Sequence, residues 1–314
     1  MKRLFHAVLA SALLFAGAAA TAADKEIAVI VKTANSDFWQ NVRKGATQAA
    51  SELKGYTSSF QGAASDTDLA GQVALVENAV NRKVAAIVLA PSDPEALIPA
   101  IKKAWEAHIP VILIDSAAAD SGKDYYQSFL ATDNNKAGEL CAQALIDRIG
   151  TTGKIAIMSY TAGSGSEIGR VGGFRKYIET HSKLQIVGPF YSNSQMGTAL
   201  NQTTDVLAAN PDLKGIFGAN EPTAIGMGRA LVQSGKAGKV VAIGFDGNGD
   251  LQGFVKDGTI EAIAVQSAYQ MGALGVRTAI ELSSGQSVPK FRDTGVLMVT
   301  KQNIDSAEAK NVLY

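Results

Sequence analysis

One alternation, run through twice, limits what this chain can fold into. Continuous apolar runs, "EIAVIV", "AAIVLA" and "VILIDS", are interleaved with segments of helical period, "FWQNVRKGATQAASEL", "DLAGQVALVENAVNRK" and "EALIPAIKKAWEAH". The pattern then restarts. "KIAIMSY", "LQIVGPFY", "KGIFGA", "VVAIGFDG" and "IEAIAVQS" read as strands, with "GRVGGFRKYIETH", "GTALNQTTDVLAAN" and "PTAIGMGRALVQSG" as the helices between them. Strands without alternating polarity are buried on both faces, as in parallel sheets covered by helices. Two successive blocks of this kind predict an α/β chain of two doubly wound, Rossmann-like parallel-sheet lobes.

The first residues stand apart. Lys2 and Arg3 precede the apolar stretch Ala7 to Phe15, and the small residues "GAAATAAD" follow. This order reads as a secretory signal peptide over residues 1–23, cleaved after Ala22 or Ala23, which places the mature protein in the periplasm. The stretch is shorter than the roughly 20 residues a spanning helix needs. The roughly 290 residues that remain exceed what a single core supports, which again favours two domains. The lone Cys141, on the apolar face of "AGELCAQALIDRIG", has no internal disulfide partner and reads as a core residue. With 29 basic and 29 acidic residues and no basic stripe, nucleic acid is excluded as a partner.

The passage between blocks, "QSFLATDN", has no Pro- or Gly-rich linker, so the chain crosses directly from one lobe to the next. A late helix, "QMGALGVRTAIELSSG", and a late β-like run, "KFRDTGVLMVT", suggest a return to the first lobe and one more crossing. The expected lobes are residues 24–131 plus 267–290 and residues 132–266 plus 291–314, joined by a hinge of three strands.

Ligands of parallel α/β sheets bind beyond the carboxyl ends of the strands. Those ends carry Asn35, Ser36, Phe38 and Trp39 after the first strand, Asp115 and Ser116 after "VILI", and Thr132 with Asp133 in the first crossing. In the second block they carry Arg170, Asn193, Asn220 with Glu221, Asp246 and Gln266. Forked groups such as Asp, Asn, Arg and Gln suit adjacent hydroxyls, and aromatic rings suit the C–H face of a sugar. Carboxylates at two strand ends would repel an anion, so the set fits a neutral polyhydroxylated molecule. Each residue also has a plainer use. Phe38 and Trp39 could staple helix to sheet, Asp115, Asp133 and Asp246 could cap helices, Glu221 suits a first helical turn, and Arg170 could pair with a surface carboxylate. The coincidence of so many at equivalent strand ends favours a site.

"IAVIVKTANSDFW", "VAAIVLAPSDPEAL", "IPVILIDS", "LATDNNKAG", "GRVGGF", "IFGANEPTAIGMGRAL", "VVAIGFDG" and "GTIEAIAVQ", in this order and spacing, resemble the ribose-binding type of periplasmic sugar-binding proteins of ABC transporters. The resemblance covers essentially the whole mature chain. It implies a type I periplasmic binding fold, two lobes joined by three crossovers and closing over one monosaccharide. It implies that Phe38 and Trp39 sandwich the sugar, more as wall than as core staple. Asp115, Arg170, Asn220, Asp246 and Gln266 match positions that hydrogen-bond its hydroxyls, with Asn35 or Ser36 in the place of a first-strand asparagine. Asn193 stands near an aromatic position of ribose binders, and Ser116 stands where they carry arginine. These departures count against ribose itself and leave a ketose, a hexose, a furanose or a linear polyol equally open. The implied partners are a small sugar or polyol, an inner-membrane permease and, as an alternative, a chemoreceptor, with the protein itself acting as a monomer.

Rival chemistries are poorly supplied. Gly163, Gly165 and Gly169 approach a dinucleotide fingerprint, but the spacing is one residue too long and the next strand ends "GPFYSN" without an acid. A G-x-S-x-G elbow is missing, and His108 and His181 lie away from strand ends. Asp246, Asn248, Asp250 and Asp257 have a partial calcium-loop spacing, with Leu251 where glycine is required. No cofactor or metal is expected. The same fold serves sugar-responsive repressors, but a repressor needs a DNA-binding headpiece where this chain has an export signal.

Overall fold

A computed structural model describes residues 24–314; the expected leader, residues 1–23, lies outside the described residues. The first block runs β1 (Lys25–Thr33), α1 (Asp37–Ser51), β2 (Tyr56–Ala63), α2 (Leu69–Asn81), β3 (Ala86–Leu89), α3 (Ile98–Glu106), β4 (Val111–Ile114) and β5 (Ser128–Ala131). The second runs α4 (Asn134–Ile149), β6 (Thr152–Ser159), α5 (Gly165–His181), β7 (Lys183–Tyr191), α6 (Met196–Ala209), β8 (Leu213–Gly218), α7 (Glu221–Gln233), β9 (Val241–Phe245), α8 (Gly249–Asp257) and β10 (Ala262–Gln266). The chain closes with α9 (Ala268–Ser283), β11 (Phe291–Asp293), β12 (Val296–Thr300) and α10 (Ala307–Lys310).

The two six-stranded sheets repeat one order, β2-β1-β3-β4-β5-β11 and β7-β6-β8-β9-β10-β12. All pairings are parallel except β12, which runs antiparallel on β10. Central strands β3 and β4 are buried at every residue. Successive side chains of a strand point to opposite faces, and the cores divide accordingly. Ile27, Val29 and Val31 of β1 pack with α1 and α9, while Ala28 and Ile30 pack with α2 and α3. In the second lobe Ala156 and Met158 of β6 face α6, α7 and α8, and Ile155 and Ile157 face α4 and α5. Helix starts are capped as their sequences dictate: Ser36, Asp68, Asp133, Asn220 and Asn248 each accept a backbone N–H from the first turn.

Three crossings join the lobes. The first runs from β5 into α4, which packs on β8, β9 and β10, and the second from β10 into α9, which packs on α1 and β3 to β5. The third differs from the expected boundary between 290 and 291. Phe291–Asp293 pairs with β5 in the first sheet, and Val296–Leu297 begins the pairing with β10 in the second. The run "KFRDTGVLMVT" is therefore two strands, broken at Gly295, whose left-handed backbone (φ +80°) turns the chain between sheets. Strand β2, "YTSSFQGA", escapes the apolar pattern because it is a sheet edge with only Ala63 fully buried. Among the described residues no helix is long and apolar enough to cross a membrane.

The helix pairs that flank the crossings approach to backbone contact. A Cβ on Gly45 of α1 would run into the Tyr269 carbonyl oxygen of α9, and one on Gly272 would meet that of Val42. The second lobe repeats the device: Gly138 of α4 lies against the Arg170 carbonyl, and Gly173 of α5 against that of Asn135. The neighbouring Gly172 has no atom within 4 Å of where its Cβ would be. Adjacent substitutions in one helix should therefore act oppositely. Gly172→Ala is expected to gain about 0.5–1 kcal/mol from reduced backbone entropy, and Gly173→Ala to lose about 1–3 kcal/mol by overpacking. Urea unfolding of the two variants checks this, and equal effects would contradict the packing described.

Candidate functional site

In each sheet the strand order reverses beside its first strand, between β1 and β3 and between β6 and β8. The crevice beyond the carboxyl ends at such a point is where open α/β sheets hold ligands. Here the two crevices face each other around one cavity of about 360 Å³, within the range of small-molecule sites. Nine expected residues line it: Asn35, Ser36, Phe38, Trp39, Asp115, Arg170, Asn220, Asp246 and Gln266.

Asp115 and Asp246 occupy equivalent places, one residue past β4 and β9, and both hold left-handed backbone (φ 62° and 75°). Asp tolerates this region better than most residues, yet it costs of order 1–3 kcal/mol. Each backbone N–H still bonds the next strand, Asp115 to Leu130 O at 3.1 Å and Asp246 to Ala264 O at 2.8 Å. The turn therefore leaves the ladder intact and aims the carboxylate into the cleft. Neither caps the helix that follows it in the chain. Asp246 Oδ2 accepts from the Glu221 backbone N–H and Oδ1 from Gln266 Nε2, both at 2.9 Å. Burial pushes its carboxyl up, against the opposing pull of Arg170. For Asp115, burial is outweighed by the 2.8 Å ion pair with Lys32 and by the Ser116 hydroxyl, and its carboxyl lies below the usual range.

Arg170 is only 2% exposed and meets no surface carboxylate. Its Nε and Nη2 donate to Asn134 Oδ1 at 3.0 and 2.9 Å, its Nη1 donates to Ala219 O at 2.7 Å, and its guanidinium lies 3.5 Å from the Phe245 ring centre. Phe38 and Trp39 serve both of the roles weighed for them. They pack edge to face (4.8 Å, 80°) inside the first-lobe core and also line the cavity. Ser36 and Asn220 likewise cap α1 and α7 while lining it.

Three expected residues lie elsewhere. The Ser116 hydroxyl is turned to Asp115 Oδ2 at 2.7 Å and holds that carboxylate rather than facing the cavity. Thr132, buried in the first crossing, donates to Gly295 O at 3.2 Å and so ties two hinge strands together. Asn193 is exposed, because consecutive left-handed residues (φ 53° and 57°) swing Ser194 inward in its place.

The cavity also holds groups that the strand-end survey missed. Lys32, a buried cation directly after the apolar run of β1, joins Asp115 and reaches Ser166 of the other lobe at 3.2 Å. A lysine is almost never fully buried unless paired. Tyr160 donates to Ser166 at 2.9 Å. Asp66 follows β2, and Ser194 donates to its Oδ2. Burial raises its carboxyl, with the Lys32 charge opposing. Glu221, already named at a strand end from the sequence, does sit in the first turn of α7, but it also lines the cavity and bridges the lobes. It accepts from the Phe38 N–H at 3.2 Å and from the Tyr314 hydroxyl at 2.9 Å. Burial, then the Asp246 charge, pushes its carboxyl up to about 8.

The periplasmic binding protein domain matches residues 27–287, and the chain belongs to that family. It is similar to the ribose import binding protein of Escherichia coli K12, 30% identical over 302 residues that cover 96% of this chain and 99% of the relative. The D-allose-binding periplasmic protein of the same organism is 28% identical over 310 residues, covering 95% and 98%. Among solved structures, an ABC transporter solute binding protein from Agrobacterium vitis with bound D-fucose is 70% identical, with a TM-score of 0.91 over 92% of this chain and 100% of that one. A carbohydrate transporter solute binding protein from Agrobacterium radiobacter in complex with D-arabinose is 36% identical, with a TM-score of 0.89 over 94% and 100%. The fold is that of type I periplasmic binding proteins.

The raised Glu221 carboxyl has a consequence for stability. The folded chain keeps this proton up to about pH 8, whereas the unfolded chain releases it near 4.5. The native state binds more protons in that window, so this group lowers stability as pH rises from about 4.5 to about 8. Glu221→Gln keeps an acceptor for Phe38 and a partner for Tyr314. It is expected to flatten this part of the stability profile, measured by urea unfolding at pH 5 and pH 8. An unchanged slope would show that Glu221 is not the group responsible.

Proposed function

We propose that this chain binds one uncharged monosaccharide between its lobes and delivers it to the permease of an ABC transporter. The observation that carries this reading is the hydrogen-bonding capacity left open in the cavity. Gln266 Oε1 and Asp66 Oδ1 are buried acceptors without a partner among the described residues. A guanidinium has five N–H donors, and Arg170 directs three hydrogen bonds to protein. A ligand that both donates and accepts at short spacing, as vicinal hydroxyls do, satisfies this set. A phosphate has few protons to give and would stand beside Asp115 and Asp246. The rings of Phe38 and Trp39 suit the C–H face of a pyranose or furanose.

The relatives support the same class. D-Fucose, D-arabinose and D-allose occupy similar solved proteins, and similar proteins are named for ribose import; all four are neutral monosaccharides. Hydrogen bonds to charged groups contribute roughly 1.5–3 kcal/mol each. A handful, less the freedom lost on binding, reaches about −8 kcal/mol, or micromolar affinity. The family consists of binding proteins of transport systems, and we assign no turnover of the ligand.

Capture works through closure. Phe38 N–H to Glu221 and Asn248 Nδ2 to Asp37 Oδ2, both at 3.2 Å, join the lobes at the cavity margin. A ligand shifts the equilibrium toward this state only by the contacts it adds there. The closed pair of lobes then presents one composite face to the permease. In this reading the leader over residues 1–23 exports the chain to the periplasm.

Calorimetric titration with D-fucose, D-arabinose, D-ribose, D-allose and D-galactose tests the proposal, and at least one is expected to bind. Asp115→Asn keeps the side-chain shape but weakens its acceptor toward the cavity. It is expected to weaken that sugar by about 10- to 100-fold, the effect of one charged hydrogen bond. No heat with any member of the set would overturn the reading.

A further inference from the structure

Asp66 follows the edge strand β2, and its environment is unusual. It is 6% exposed, yet only one carboxylate oxygen is used: Oδ2 takes the Ser194 hydroxyl of the other lobe, while Oδ1 is buried, unpartnered and on the cavity wall. Asp68, two residues on, performs the structural duty of this loop, accepting from Gly71 N–H at 2.9 Å to cap α2 and from Ala64 N–H at 3.3 Å. Helix capping therefore does not account for Asp66. The charges of Lys32 and Asp115 both act on it. Asn220 Nδ2 donates to the same Ser194 hydroxyl at 3.0 Å. The carboxylate thus belongs to the cavity wall, tied through Ser194 to the other lobe and with one oxygen unused. An unpaired buried acceptor is costly, and the cavity supplies the partner's place.

We propose that Asp66 is a specificity-determining residue whose Oδ1 accepts a hydrogen bond from one hydroxyl of the bound sugar. This rests on the monosaccharide reading above and deepens it. The carboxyl offers an acceptor at Oδ1 in either protonation state, provided any proton sits on the other oxygen. The ligand group opposite it must be a donor. A free hydroxyl satisfies it. A deoxy carbon leaves the acceptor bare, a methyl ether neither donates nor fits, and a carboxylate at that place, as in a sugar acid, is repelled by Asp66 and Asp115 together. Sites built around a substrate hydroxyl discriminate strongly against analogues lacking it, because the protein group is then left unpaired.

The test pairs protein and ligand deletions. D-Fucose and its 2-deoxy, 3-deoxy and 4-deoxy analogues are titrated into the parent, Asp66→Ala, Asp66→Asn and Ser194→Ala. If D-fucose fails to bind the parent while another sugar of the panel binds, the same series is built on that sugar. Asp66→Ala is expected to weaken D-fucose by about 10- to 100-fold and to leave one analogue, the one without the contacted hydroxyl, unchanged. Asp66→Asn, which retains an oxygen at the same place, is expected to bind within a few-fold of the parent. Ser194→Ala removes only the contact between lobes and is expected to affect all four sugars alike. Urea unfolding of the unliganded variants confirms that they fold. The proposal is overturned if Asp66→Ala binds D-fucose as the parent does, or weakens parent sugar and all analogues by one common factor. A parent that binds no sugar instead overturns the monosaccharide reading itself.

Discussion

Removing charge from water is the constraint around which this molecule is arranged. Lys32, Asp66, Asp115, Arg170, Glu221 and Asp246 are all nearly inaccessible at the meeting of two lobes. An ion taken from water into a protein interior costs several kcal/mol unless it is paired and hydrogen-bonded. The chain meets this cost in three ways. Asp115 is matched by Lys32 at 2.8 Å. Arg170 is held by an amide, a carbonyl and an aromatic face. Glu221 keeps its proton to about pH 8 and is buried neutral. Capacity remains unused on three residues that line the cavity: Asp66 Oδ1 and Gln266 Oε1 have no partner among the described residues, and Arg170 directs three hydrogen bonds to protein. Closing the lobes over an empty cavity would strand those groups, so the balance between open and closed rests on what fills it.

The repeat of one topology explains how two half-sites come to match. Equivalent strands, β4 and β9, end in Asp115 and Asp246 with the same left-handed turn. Equivalent helix pairs, α1 with α9 and α4 with α5, cross at reciprocal glycines. The half-sites then diverge in their cations: Lys32 reaches Asp115 directly, whereas Arg170 is held by its own lobe and acts on Asp246 through the field alone. A pseudo-symmetric frame holding an asymmetric set of donors and acceptors can distinguish the two faces of a sugar ring.

The parts legible in the sequence were those that repeat a simple physical rule. Strands buried on both faces, such as β3 and β4, announce themselves by unbroken apolar residues, and residues at or just past the ends of β1, β4, β8, β9 and β10 line the cavity. Asp115, Arg170, Asp246 and Gln266 were found that way. Edge strands were not legible: β2 is half polar because one side of it faces water. With β2 missed, the rule that sites follow strand ends could not reach Asp66. Asn193 was displaced by a single residue because two successive left-handed residues reverse the side-chain phase, which periodicity does not encode. Thr132 and Ser116 lie at the right places in the chain but spend their hydroxyls on Gly295 O and Asp115. Position along a strand predicts proximity; the competing hydrogen bonds decide orientation.

The hinge and the site form one network, and this bears on how binding moves the lobes. Thr132, in the first crossing, donates to Gly295 O in the third, and its own carbonyl accepts from Asn134 Nδ2 at 3.2 Å. Asn134 Oδ1 in turn takes two N–H groups of Arg170, whose Nη1 reaches Ala219 O at the end of β8. The guanidinium on the cavity wall is thus tied through Asn134 to the first crossing. The first two crossings lead directly into packed helices, α4 and α9, and the third turns at Gly295 from one strand into the next. A ligand that engages the free N–H groups of Arg170 stiffens the first crossing as well as filling the cavity. One chain of hydrogen bonds, from Gly295 through Thr132 and Asn134 to Arg170, therefore runs from the hinge to the cavity wall.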